Sequence, residues 1–596
     1  MTTITKFDDA KKIQWDLSDL CSGLKDPIIE STLTHSLIQA KNFEKKYKTH
    51  LNALLPSDLA KAFSELEALL SPLYKVSQYI SLRQSIETQD NEIKALDAKI
   101  DDVSSEVSTY LVFFSLEIAQ FSQEKLDSLK KEKSIENYIY SIEHDIQTAA
   151  YNLSESEEKI ITIKDVTGIS SYKKLYTELT SAFKFTFTVD GEEKTMTGSE
   201  LRNLRYHKDA TVRREAMKRY YERYQEHKIT ITHIFNYIYK DFNTERQLRG
   251  YKSPIAVRNI GNDLSEKAVQ TLHDVTTFSN TLVRRYYTIK KKLLGLETMT
   301  LADLYAPLPD QSEQFSYEEA KTIVLEAFKA FDNEFYTIAK MMFDENRIHA
   351  PVLEGKSGGA FCSGSTPDVK PYVMLNFLGK ARDVSTMAHE LGHAIHDVLA
   401  SKQSLFNYHP ILPLAETASV FCEMLVTDLL LKKLKNNQDK IALLCDKLED
   451  VFATSHRQNM FSCFEQRAHQ AVTDGLLSSE DFSLIYYDLL KEVFADSVQI
   501  TDDYKWEWCT IPHFINYPFY VYAYNFGNLL VFSLYQQYKE EGASFIPKLK
   551  ETLSSGCVSN PIQITSYVNA DIESKEFWNK SVTAIESLLN ELESLI

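Results

Sequence analysis

Glycine and proline are scarce in this chain, 17 and 15 among 596 residues; that is about 5% where an average protein carries about 12%. Few breakers means long helices joined by short turns. Two stretches depart from that rule. Phe183, Phe185, Phe187 and Val189 alternate strictly and run into Asp190-Gly191, which predicts a strand entering a hairpin. Residues 355–377 carry a glycine-rich loop followed by the strand-like YVMLNF. Elsewhere helix signals dominate, as where Ser316 and Glu319 form a capping box ahead of Val324, Phe328 and Phe331. The hairpin predicts a junction between an amino-terminal helical domain, 1–190, and a second domain, 191–596. The fold class expected is mostly α with a small β-sheet.

The chemistry concentrates in His389-Glu390-Leu391-Gly392-His393, an instance of H-E-x-x-H. From Ser385 the chain reads STMAHELGHAIHDVLA. Met387, Leu391, Ile395 and Val398 form the apolar stripe of an amphipathic helix. His389 and His393, four apart, project from one adjacent face and can share a metal ion. Glu390 stands beside them, where a carboxylate can take a proton from an attacking water. Glycine is disfavoured inside helices, so Gly392 calls for a close approach of another backbone or of substrate.

Catalytic zinc keeps three protein ligands and one open position. No third histidine follows at the metzincin spacing, because Leu399 stands there and His396 replaces the glycine of that motif. A carboxylate on a later helix is therefore expected. The run LAETASVFCEMLVTDLLLKKL after Pro413 carries Glu416 and Glu423 in its first turns, seven apart on one face. Acids in so apolar a helix need partners. Glu416, nearer the helix start, is the better ligand; Glu423 suits a place behind a ligating imidazole. His396 and Asp397 are expected to pack or support rather than to bind metal.

These residues resemble the thimet oligopeptidase group of zinc metallopeptidases, and within it the oligoendopeptidase F branch. The resemblance is carried by HELGHAIH and AETASVFCE, by Gly355 to Phe361 (GKSGGAF), by Tyr372 to Phe377 (YVMLNF), by Pro512-His513-Phe514 with Phe519 to Tyr522, and by Trp15 to Leu20 near the amino terminus. It implies two helical lobes flanking a deep channel that admits short unfolded peptides. It implies one Zn2+ on His389, His393 and Glu416, with Glu390 as general base. It also implies that His513, Tyr517 and Tyr524 face the reacting carbonyl and substrate backbone. The tyrosine segment is one residue longer than in close relatives, which leaves Tyr520 as a rival to Tyr517. Gly358, Gly359 and Tyr372 are the remaining substrate-binding candidates. Residues 355–359 would be a moving part that closes on substrate, and the strand at 372–377 would pair with an extended peptide.

The function expected is hydrolysis of internal bonds in short unstructured peptides. A carboxy-dipeptide-trimming exopeptidase and a peptide-binding protein without turnover stay open at this point. Nucleic acid is an unexpected partner for a net charge of −18, since phosphate binding needs a basic face. No basic block suits an anionic membrane. The opening MTTITKFDDAKKIQWDL has no apolar core of a secretory signal. Seven scattered cysteines, an odd number without C-x-x-C, suit reduced thiols in a cytoplasmic protein. Phe514 to Tyr538 lacks charge for the length of a membrane span, but its asparagines, tyrosines and Pro518 predict instead a buried helix lining a polar channel.

Overall fold

The computed structural model describes residues 9–308 and 314–596. The first eight residues of the stretch considered for a secretory signal lie outside the described residues. Among the described residues the chain is mostly helical, with one two-stranded and one three-stranded sheet.

The hairpin forms as its alternation predicts. Strands β1 (Lys184–Val189) and β2 (Glu192–Thr197) pair antiparallel, with Val189 opposite Glu192. Asp190 and Gly191 take φ of 53° and 84°, the two positive values of a type I′ turn. Phe183, Phe185 and Phe187 are buried while Lys184, Thr186 and Thr188 are exposed. The second sheet comprises β3 (Ile348–His349), β4 (Phe361–Ser363) and β5 (Tyr372–Met374), in the order β3-β5-β4. Strand β5 runs parallel to β3 and antiparallel to β4.

Four helices carry the argument that follows: α1 (Ala381–Ala400), α2 (Thr417–Lys433), α3 (His456–Asp474) and α4 (Tyr522–Glu541). Helix α1 starts where the Asp383 carboxylate accepts the N–H groups of Leu378 and Lys380 at 2.9 and 3.0 Å, supplying partners to amides left open at a helix start. Its stripe of Met387, Leu391 and Ile395 is buried. The Ser316–Glu319 capping box opens a helix at Tyr317–Phe331.

The chain divides into two compact units, and the division is not the linear one at residue 190. One unit comprises 1–150, 312–435 and 534–571; the other comprises 151–311, 436–533 and 572–596. The hairpin marks no boundary, because its aromatic face packs on the helix Ala210–Glu226 of the same unit. Phe183 meets Tyr224 at 5.1 Å and Phe185 meets Tyr220 at 5.9 Å between ring centroids. In the first unit the amino-terminal helices share a core with the small sheet: Trp15 lies edge-on to Tyr372, 6.3 Å between rings, and 5.2 Å from His349. The Trp15–Leu20 motif is thus a packing element. The second unit centres on Trp508, stacked 4.8 Å from Phe482, with its indole N–H bonded to Ser483 Oγ at 3.0 Å.

Helix α4 is mostly buried; some of its polar groups find protein partners, while Asn528 Oδ1, Ser533 Oγ and Gln537 Oε1 have no hydrogen-bond partner. Asn525 is fully buried and donates to Thr276 Oγ1 at 3.0 Å and Asn459 Oδ1 at 3.3 Å. Among the described residues no helix is long and apolar enough to cross a membrane, and all seven cysteines are free.

Candidate metal centre

The centre is built where α1 and α2 touch backbone to backbone at Gly392, whose missing side chain leaves room for Ala418 and Ser419. That contact brings the start of α2 over the histidine face of α1. Glu416 stands at the joint between the short turn Leu412–Ala415 and α2, so its carboxylate sits at the electropositive end of that helix. Ser419, one turn on, donates its hydroxyl to Glu416 Oε2 at 2.6 Å.

His389 Nε2 and His393 Nε2 each lie 3.3 Å from Glu416 Oε2, and the three ligand atoms lie within 4.8 Å of one another. Bonds of about 2.0–2.1 Å from one tetrahedral ion place its donors roughly 3.3–3.4 Å apart. The donor set fits zinc in chemistry, and its two histidine–glutamate distances match that spacing. Behind the imidazole, His389 Nδ1 lies 3.4 Å from Glu423 Oε2, within reach of a carboxylate that can orient an imidazole by its far nitrogen.

The electrostatics follow from this crowding. Burial opposes a proton on His389, but Glu416 and Glu423 outweigh it and raise its pKa to about 10. Burial also opposes ionisation of Glu416, yet the two imidazoles hold it far below the usual carboxylate range. Glu390 is 6% exposed. Burial pushes its pKa up, against the pull of His389 and His393 and of a hydrogen bond from the Cys362 N–H. A raised carboxylate suits a group that must both take and return a proton. His396 is buried, and burial lowers its pKa to about 3; it is neutral and lies in the wall of the cavity. Asp397 is pushed by burial to about 7 and lies beside Gly364, where a Cβ would stand 2.1 Å from its Oδ2.

A cavity of about 420 Å³ opens on these groups, walled by β4 residues Phe361 and Cys362 as well as by His389, Glu390, His393 and Glu416. This corrects two expectations. Tyr372 does not reach a substrate: its ring is fully buried, under the Arg347 guanidinium at 4.9 Å. Strand β5 cannot accept a peptide either, because β3 and β4 occupy both of its edges. The flank of β3 is covered by the Trp15 segment, through Ala350 N–H to Ile13 O at 3.0 Å and Asp16 N–H to Asn346 O at 2.8 Å. The sheet edge beside the cavity is that of β4. The signal for it, FCS one residue after the glycines, was masked by its shortness.

The glycine-rich loop is fastened rather than free. Lys356 Nζ donates to the Pro351 and Leu375 carbonyls, both at 2.6 Å. Asn376 donates to Ser357 O at 2.9 Å and Gly359 O at 2.8 Å. The Ser357 N–H reaches Ser85 O at 2.8 Å. Gly358 and Gly359 are exposed next to β4, and Gly359 takes a φ of +80° that only glycine adopts without strain. The cavity wall begins one residue later, at Ala360.

In the second unit, His513, Tyr517, Tyr520 and Tyr524 form one cluster. Tyr520 stacks 6.3 Å from His513 and lies 5.3 Å from Tyr524 and 6.1 Å from Tyr517. Tyr517 is 59% exposed and Tyr524 39%. Tyr520 is partly buried at the middle of the group. Burial lowers the His513 pKa and, with Tyr520 beside it, raises that of Tyr524. The histidine is thus neutral and the phenol protonated near neutral pH. The Tyr517–Tyr520 turn carries a non-glycine residue, Phe519, at φ 57°. Such a conformation costs of the order of 1–2 kcal/mol.

Comparison with known proteins places these features in a wider group. Residues 203–584 match the family described as Peptidase family M3, and residues 117–185 match that described as Oligopeptidase F. The chain is 27% identical over 559 residues to Oligopeptidase PepF of Bacillus subtilis, covering 92% of this chain and 83% of that protein. It is 25% identical to an oligoendopeptidase F homolog of Lactococcus lactis, covering 98% of each. Its fold matches the crystal structure of oligoendopeptidase-F from Enterococcus faecium with a TM-score of 0.69 at 23% identity, over 95% of this chain and 98% of that one. A solved structure from Chlamydophila abortus matches with a TM-score of 0.88 at 22% identity, over 98% and 99%.

Proposed function

The chain belongs to peptidase family M3, and on that footing we propose that it is a zinc metalloendopeptidase cutting internal bonds of short unstructured peptides. The observation that carries the reading is the convergence of His389 and His393 on Glu416 Oε2, each at 3.3 Å, with Glu390 buried beside them.

His389, His393 and Glu416 would hold the ion, and Glu423 would fix the His389 ring by its Nδ1. When bound, zinc supplies a Lewis acid that brings the ionisation of water toward neutral pH and polarises a carbonyl. Glu390 takes the proton of the attacking water and returns it to the leaving amine. Its raised pKa lets one carboxylate serve in both directions. An extended peptide would add as a strand to the edge of β4, a mode that reads backbone and tolerates varied side chains. The Cys362 N–H, already turned toward Glu390, lies on that edge. Tyr524 and His513 would donate hydrogen bonds to the developing oxyanion or to a neighbouring carbonyl, and Tyr517 and Tyr520 would contact the substrate backbone. These four roles rest on the family likeness and on the exposure of the cluster. Gly358 and Gly359, with no side chains, would let the substrate chain pass close to the loop.

The test is the mass of the products from a peptide of about ten residues, blocked at both ends and long enough for strand addition. Internal cuts support the reading. No cut in the blocked peptide, with release of the carboxy-terminal dipeptide from its unblocked counterpart, would replace it with an exopeptidase.

A further inference from the structure

The cluster of exposed tyrosines sits on a turn that the chain does not build in the easy way. Tyr520 N–H donates to Tyr517 O at 3.1 Å, Pro518 follows Tyr517, and Phe519 takes a φ of 57°. This is the pattern of a type II turn, whose third position favours glycine or asparagine. Phenylalanine there needs holding. Its ring is fully buried, 4.7 Å from the ring of His469 and 5.8 Å from that of Phe242. Its N–H donates at 2.8 Å to Oε1 of Glu465 on α3. Glu465 is itself fully buried, and its Oε2 has no hydrogen-bond partner. Arg258 completes the support: it donates to the Pro518 carbonyl at 3.3 Å, and its guanidinium lies 5.8 Å over the ring of Tyr520.

We propose that Glu465, assisted by Arg258, is a positioning residue that latches the Tyr517–Tyr520 turn and so sets where Tyr517 and Tyr520 meet the substrate. The inference rests on the reading that these tyrosines contact peptide. A buried carboxyl with one unmet oxygen costs stability that an apolar side chain would not. What it supplies in return is an acceptor for an amide that neither a helix nor a strand would satisfy. The ring of Phe519 points inward as an anchor, and the residues on either side of the turn are left outside: Tyr517 is exposed and Tyr520 partly so. Burial pushes the Glu465 pKa up to about 8, against the Phe519 hydrogen bond and the charge of Arg258. Near neutral pH the group is an uncharged acid, and a glutamine carbonyl can replace it as acceptor.

The experiment is a double-mutant cycle on the zinc-loaded full chain. Glu465→Met keeps the length and removes the acceptor; it should lower kcat/KM roughly ten- to a hundredfold, the scale of small misplacements, with zinc content unchanged. Glu465→Gln should restore most of that loss. In a Tyr517→Ala/Tyr520→Ala background the Glu465→Met effect should vanish, because nothing remains to be positioned. An effect of the same size in both backgrounds would overturn the proposal in favour of general destabilisation, as would an unaffected Glu465→Met. Full activity of the double tyrosine variant would overturn the assignment of these tyrosines to substrate, and the proposal with it. If Glu465→Met does not fold, Arg258→Met, at a partly exposed position, carries the same cycle with the same outcomes.

Discussion

A Cβ placed on Gly392 would stand 2.6 Å from the Cα of Ser419 and 2.7 Å from the carbonyl oxygen of Ala418. Backbone atoms cannot yield as a flexible side chain can. The approach of the two helices therefore depends on that one missing methyl group, and with it the reach of Glu416 to both histidines. Gly392→Ala should cost about 1–3 kcal/mol as overpacking does, against a gain below about 1 kcal/mol in helix propensity. Zinc retention against a chelator and the melting temperature should both fall. Unchanged zinc retention would mean that the helices can part without disturbing the ligands.

Glu423 holds the far nitrogen of His389 at 3.4 Å. Removing a carboxylate that orients a ligating imidazole typically costs 10–100-fold in metal affinity or activity. Glu423→Ala should show a loss of roughly that size, measured by competition with a chelator of known affinity. A change within about twofold would assign Glu423 to packing.

On the proposed ligand set, zinc would have to displace a proton from His389, whose pKa the neighbouring carboxylates raise to about 10. Acid therefore competes with the metal. Apparent zinc affinity should rise with pH, by about tenfold per unit while one proton is displaced, and level off as pH approaches that value. Calorimetry in two buffers of different ionisation enthalpy measures the proton release. An affinity that does not change between pH 6 and 8, below the raised value for His389, would contradict it.

Tyr524 keeps its phenolic proton, its pKa raised by burial and by Tyr520, and so is available as a donor. Tyr524→Phe should lower kcat roughly ten- to a thousandfold with a smaller change in KM, as loss of an oxyanion donor does. Activity within about twofold of the parent would remove Tyr524 from that role.

Local signals in the sequence were enough for the hairpin at Asp190-Gly191, the capping box at Ser316 and the helix that carries H-E-x-x-H, because each rests on neighbours in the chain. Glu416 and Glu423 could be found because both interrupt one apolar run at a helical spacing. Three things escaped. The domain division could not be read at residue 190, since Phe183 and Phe185 choose partners further along, on the next helix but one in chain order. Tyr372 entered only through the resemblance of YVMLNF to the family's strand, and the pairing order shows that β5 is central. Glu465 gave no signal at all: an acid on an amphipathic helix reads as solvent-facing until the strained Phe519 is found above it.

The central claim is that Glu390 is the base of a metal-dependent peptidase. It is tested most directly by comparing the parent chain with Glu390→Gln on an internally quenched, end-blocked peptide, with bound zinc quantified in both. The account predicts turnover by the parent, none measurable in the variant, and about one zinc in each, since Glu390 is not among the ligands. Equal turnover in the two proteins would contradict it.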